Sequence, residues 1–133
     1  MMPDLGARPR ILVIADDEQA RGVLAAVLRA DGHTVDVAAD RGQAVGLIEA
    51  REYAVMLSDL RMPGLDGPEL SRVLQARRPG ALTALIFLAR PAFMPDFARF
   101  LIDAAAPVLA WPTRPAEISR VVARALAAVP APA

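Results

Sequence analysis

Two strand-like runs in this sequence end in acids. Ile11-Leu12-Val13-Ile14 runs into Asp16 and Asp17, with Glu18 behind them. Met56-Leu57-Ser58 ends at Asp59, and Leu60-Arg61-Met62-Pro63-Gly64-Leu65-Asp66-Gly67 follows at once. In an open α/β sheet the carboxyl ends of the strands face the ligand crevice. Asp16, Asp17 and Asp59 are therefore placed to share one rim, where carboxylates act as nucleophiles or ligands. Other chemistries have no residues to work with. The chain has no cysteine, hence no thiol nucleophile, zinc-thiolate site or disulfide framework. Its single histidine, His33, opens an outer strand without a triad-like partner and reads as a strand-end residue.

The elements that must hold these acids follow from periodicity and punctuation. Arg10 to Ala15 is a short apolar run suited to a buried parallel strand. Val23, Leu24, Val27 and Leu28 recur at helical spacing within Glu18–Ala30, and Asp31-Gly32 stops that helix, with Gly32 suited to a left-handed cap. A strand is expected over His33–Ala38. A helix is expected from the capping pair Asp40 and Gln43 to about Arg51. Tyr53–Ser58 is the third strand. Asp66, Pro68 and Glu69 open a helix to about Arg77, with Asp66 as cap rather than chemistry. Ala84–Leu88 is the fourth strand, Arg90–Pro95 a loop, and Asp96–Ala105 a helix with Phe97 and Phe100 packed inward. Pro107–Trp111 is a fifth strand, and Ala116 to about Val129 a last helix. Met1–Pro9 and Pro130–Ala133 read as tails. Strands alternating with helices imply a parallel sheet covered on both faces.

Length and composition bound the rest. With 133 residues, 55% of them hydrophobic, the chain suits one domain with a single core. Fifteen basic residues balance fifteen acidic ones, which argues against a nucleic-acid or polybasic membrane surface. Every basic residue other than His33 is arginine; there is no lysine. Neither a bilayer-length apolar run nor a signal-peptide segment is present, so a cytoplasmic protein is expected.

Asp16-Asp17, Ser58-Asp59 and Met62-Pro63-Gly64-Leu65-Asp66-Gly67 together resemble the receiver domain of two-component response regulators, over about Arg10–Val129. The resemblance implies a flavodoxin-like (βα)5 three-layer α/β sandwich with strand order 2-1-3-4-5. It implies a phosphoacceptor signalling domain rather than an enzyme, with Asp59 taking a phosphoryl group from a histidine kinase or histidine phosphotransfer protein. It further implies Mg²⁺ held by Asp17 and Asp59, by Asp16 directly or through water, and by the Arg61 backbone carbonyl. A hard divalent ion with oxygen ligands offsets carboxylates that would otherwise repel an anionic donor. No DNA-binding or catalytic domain follows in the sequence, so a stand-alone receiver acting through protein contacts is expected. The face made by the last two helices and the strand between them is the implied site for a downstream protein or a homodimer.

The pattern then breaks. The hydroxyl residue expected after the fourth strand is Ala89, and Thr83 lies at the opposite rim. The lysine expected before Pro112 is Trp111, and the switch aromatic three residues earlier is Val108. A hydrogen bond to a charged group contributes about 1.5–3 kcal/mol. Losing the lysine and hydroxyl contacts together removes roughly 3–5 kcal/mol, against about 5.5 kcal/mol for near-complete two-state switching. A degenerate switch at Ala89, Val108 and Trp111 is expected, with acceptance of phosphate retained. The alternative is a phosphorylation-independent adaptor. Trp111 either fills the space these changes leave or anchors a partner. Arg90 and Arg114 are the candidates for a replacement cation, and Phe93 with Met94 for an exposed docking element. The Trp111-Pro112 bond is expected to be cis, as the resemblance implies. A dehalogenase-like phosphatase is disfavoured because position 61 is arginine where that chemistry needs a second aspartate. A flavin-binding relative is disfavoured by acids where a phosphate loop would lie.

Overall fold

The first strand shows why the sheet lies inside. In the computed structural model, which describes residues 9–81 and 83–128, β1 (Arg10–Ile14) has Ile11 to Ile14 fully buried. Successive side chains of a strand point to opposite faces. Ile11 and Val13 enter one core with Leu24 and Leu28 of α1 (Glu18–Ala30) and Ile118 and Val122 of α5 (Pro115–Ala128). Leu12 and Ile14 enter the other, with Ile48 of α2 (Arg41–Ala50) and Leu70 of α3 (Gly67–Arg77). A strand buried on both faces has no polar side to alternate with, which explains its unbroken apolar run.

Five parallel strands, β1, β2 (Thr34–Ala38), β3 (Val55–Asp59), β4 (Ala84–Ala89) and β5 (Val108–Ala110), lie in the order 2-1-3-4-5. The expected flavodoxin-like three-layer arrangement is therefore the observed one. Register fixes the rim: Ile14 pairs with Ser58 across β1 and β3, and Asp59 with Leu88 across β3 and β4.

Most boundaries match the sequence reading, and the differences have local causes. The second strand begins at Thr34, not His33. The His33 N–H donates to the Leu28 carbonyl and the Gly32 N–H to the Arg29 carbonyl, with Gly32 at φ 94°, so both residues close α1 in a Schellman motif. Asp40 accepts from the Gln43 N–H at 2.8 Å, and the Gln43 side chain reaches back to the Ala39 N–H. The third strand begins at Val55 and includes Asp59. The segment expected as a loop over Arg90–Pro95 is a 3-10 helix, Pro91–Phe97, so α4 (Ala98–Ala104) starts later than Asp96. Proline at the start of a helical turn costs nothing, because that N–H has no partner there anyway. Met94 packs against the second core and Phe93 is half-buried, so the exposed docking element expected there is not what these side chains form. The expected tails at residues 1–8 and 130–133 and the expected helix end at Val129 lie outside the described residues.

Gly64 and Gly67 serve different ends. Gly64 sits at φ 76°, a turn conformation that a side chain disfavours. Gly67 is required by space. A Cβ there would lie 2.7 Å from a Phe100 ring carbon and 2.9 Å from Leu60 Cδ1. Phe100 is itself held edge-on against Phe87, with centroids 5.4 Å apart. Gly67→Ala is expected to destabilise the fold by about 1–3 kcal/mol. In chemical denaturation, Phe100→Leu should recover part of that loss in the double variant, and strict additivity would refute the close approach.

Candidate functional site

β1 and β3 end side by side, so the loop after β1 meets the last residue of β3. The result is a cleft lined by Asp16, Asp17, Asp59, Arg61, Arg90 and Trp111, with Ala89 and Phe93 in its wall. Every residue the sequence marked for the acid site, the backbone-carbonyl candidate Arg61 included, borders this one cleft. Of the three substituted switch positions, Ala89 and Trp111 border it as well. Val108 does not; it pairs with Phe87 in the sheet and leans on the second core.

Asp59 is half-buried, and its carboxyl is pushed up to about 7. Burial is the larger cause. The Asp16 carboxylate beside it adds to the rise, while the Asp16 backbone N–H and the Arg90 charge oppose it. Two acids meeting in a partly desolvated place hold a proton in the absence of a cation. Asp17 is exposed and caps α1, with Oδ2 accepting from the Ala20 N–H at 3.3 Å. That bond is long and engages one oxygen, and Oδ1 has no hydrogen-bond partner among the described residues. No three acidic side chains among the described residues stand as a ready-made cage. The donor set is a close carboxylate pair, a third acid at the rim and carbonyls. It suits a hard ion that keeps several of its waters.

The loops around the cleft are held by arginine side chains whose contacts sequence reasoning did not foresee. Arg21 donates to the Ala15 carbonyl at 2.8 Å and to the Asp16 carbonyl at 3.4 Å, pinning the loop that carries the acids. Arg41 donates to the Gly64 carbonyl at 2.9 Å and to Glu69, tying the start of α2 to the turn after Asp59. The Arg61 guanidinium lies over the Phe93 ring, 4.6 Å from its centroid, and joins the loop after β3 to the 3-10 helix after β4. Phe93 is 32 positions from Arg61, and no local pattern links them. Asp66 caps α3 by accepting from the Glu69 N–H at 2.9 Å, as expected. Thr83 donates to the Tyr53 carbonyl at the opposite rim and cannot stand in for Ala89. Trp111 is half-buried against the first core while bordering the cleft, and its N–H donates to the Ala89 carbonyl. Its side chain packs against the first core, whereas Ala89 belongs to the second. The Trp111-Pro112 bond is cis.

The chain is similar to known proteins. The family model of the response regulator receiver domain matches residues 11–123. The receiver domain of sensor histidine kinase PA1611 from Pseudomonas aeruginosa PAO1, solved with a magnesium ion coordinated in its active-site cleft, is 32% identical. It aligns over 92% of this chain and 100% of its own, with a TM-score of 0.78. Sensor histidine kinase AruS of the same species is 32% identical over 123 residues, 91% of this chain and 12% of that protein. Transcriptional regulatory protein TcrA of Mycobacterium tuberculosis is 38% identical over 69 residues, 52% of this chain and 27% of that protein. The chain thus spans well under half the length of these curated relatives. No helix among the described residues is long and apolar enough to cross a membrane.

The raised Asp59 carboxyl sets the sign of a stability change with pH. Its folded value lies above the unfolded 3.8, so the native state binds a proton more tightly than the unfolded chain between about 4 and 7. Stability from this group is therefore present at low pH and lost as pH rises through that window. In chelator at pH 8, Asp59→Asn is expected to be more stable than wild type by on the order of 1–3 kcal/mol, discounted for partial exposure. The gap should close near pH 4 or when Mg²⁺ is added to the wild type. Parallel melting curves at both pH values would refute the strained acid pair.

Proposed function

This chain belongs to the response regulator receiver domain family, and we propose that it works as a receiver unit that accepts a phosphoryl group on Asp59. The observation that carries this reading is the half-buried Asp59 paired with Asp16 at the carboxyl edge of the sheet. A carboxylate in water gains nothing from a cation it can do without. One held against another acid gains from an ion and from an electrophile in that position.

In this reading an Asp59 carboxylate oxygen attacks phosphorus in line with the bond to the donor. That bond breaks, its electron pair leaves with the donor group, and an acyl phosphate forms on Asp59. A phosphohistidine of a histidine kinase or phosphotransfer protein is the donor, and its departing imidazole takes up a proton. Asp16, Asp17, Asp59 and the Arg61 carbonyl would hold Mg²⁺, with Asp17 turning an oxygen away from its cap or using the one that is free. Bound Mg²⁺ would supply positive charge that offsets the acids and the transferring group. Asp59 is the nucleophile, Asp16 sets its basicity, and Arg21 fixes the loop on which Asp16 stands.

Output in this reading passes through protein contact without the usual relay. Ala89 has no hydroxyl to move toward the acyl phosphate, Trp111 has no charge to offer it, and Val108 cannot act as an aromatic switch. The face of α4, β5 and α5 remains the proposed site for a downstream protein or a second copy. The adaptor reading, in which the chain works without phosphate, is favoured by one observation: Trp111 occupies the cleft wall where a cation would serve acceptance.

Incubation with acetyl phosphate and Mg²⁺ followed by intact mass separates the two. Wild type is expected to gain one phosphoryl group and Asp59→Asn none. Absence of the adduct on wild type, or an equal adduct on the variant, leaves the adaptor reading. Trp111 is the sole tryptophan, so Mg²⁺ should shift its emission, and a flat titration counts against a metal in this cleft.

A further inference from the structure

The acid cluster leaves a charge problem that Mg²⁺ alone does not solve. Asp16, Asp17 and a phosphorylated Asp59 carry about four negative charges at neutral pH, and one divalent ion offsets two. A chain with no lysine must find the remaining positive charge among its arginines. The structure sorts them. Arg21 is committed to the Ala15 and Asp16 carbonyls. Arg61 is stacked on Phe93. Arg114, the other arginine that the sequence places near this rim, does not line the cleft. Arg90 does line it, is exposed, and makes no side-chain hydrogen bond or ion pair among the described residues.

Strand register explains why Arg90 is suited to the task. Leu57 and Leu88 both face the core beneath α1 and α5. Asp59 pairs with Leu88 across β3 and β4. Arg90 continues β4 with extended backbone, at φ −81° and ψ 133°. Asp59 and Arg90, each two residues beyond those leucines, therefore project to the same side from adjacent strands. Trp111 stands in the wall toward β5, and Arg61, the other arginine lining the cleft, is stacked on Phe93, which leaves Arg90 as the uncommitted cation of the cleft among the described residues.

We propose that Arg90 is the phosphoryl-binding cation of this receiver, its guanidinium donating to the free oxygens of the group carried by Asp59. The proposal rests on the acceptor reading above and names which side chain completes that site. A planar guanidinium matches two phosphoryl oxygens at once, a geometry an ammonium does not share. Arg90 thereby takes over, from a neighbouring strand, a task the chain cannot give to residue 111.

The test compares rates of phosphoryl adduct formation from acetyl phosphate in Mg²⁺ by intact mass, with beryllofluoride affinity read from Trp111 emission. Arg90→Gln is expected to lower both by on the order of 10–100-fold, and Arg90→Lys by less. Arg114→Gln should match wild type, and Arg61→Gln should fall short of the Arg90→Gln loss. Trp111→Lys added to Arg90→Gln should restore much of the adduct rate. Wild-type rates in Arg90→Gln, or a larger loss from Arg61→Gln or Arg114→Gln, overturn the assignment while the acceptor reading stands. A wild type that takes no phosphoryl group overturns both.

Discussion

The constraint on which this molecule turns is the close meeting of two carboxyl groups at the edge of a buried sheet. Asp59 ends a strand whose preceding residues are buried, and it is itself half-buried. Asp16 is fixed beside it because Arg21 holds the carbonyls of its loop. Left alone, the pair must share a proton or strain the fold. The rest of the rim can be understood as the surroundings that make this tolerable: a partial positive charge from Arg90, an exposed third acid, and loops tied down by Arg41 and by Arg61 on Phe93.

Much of this was legible in the sequence because it depends on short-range rules. Fully apolar strand runs ending in acids gave both the sheet and its working edge, since register in a parallel sheet with short turns leaves little freedom. Caps at Asp40 and Asp66 and the Gly32 stop marked helix ends within a residue or two. The segment after β4 was misjudged because two prolines suggest a loop, yet a 3-10 helix needs few of the hydrogen bonds that proline removes. Contacts of the arginines were not legible at all. A long charged side chain can lie on carbonyls, on an aromatic face or in solvent, and only tertiary placement decides among them. Arg21, Arg61 and Arg90 are chemically identical in the sequence and stand in three different settings: on loop carbonyls, on an aromatic face, and exposed at the cleft.

The substitutions at the rim form a set. Ala89 leaves a small space at the end of β4, Trp111 leans into the adjoining wall, and their backbones are joined by the Trp111 N–H to the Ala89 carbonyl. The two substitutions thus meet through the backbone at the rim while packing into different cores.

The opposite edge of the sheet behaves differently. There Asp36 accepts from the Tyr53 hydroxyl at 2.7 Å and from Arg10 and Arg51 at 3.3 and 3.2 Å. Arg78 covers the last carbonyls of α2 at Ile48 and Glu49, and Thr83 holds the Tyr53 carbonyl. Side chains of β1 and β2 and of residues just after α2 and α3 and just before β3 and β4 meet at that end. The molecule is clamped at its foot as well as at its acid rim. The acids stand at the end of the sheet away from this cross-linked cluster, and a substitution at Asp16, Asp17 or Asp59 leaves every one of its bonds in place.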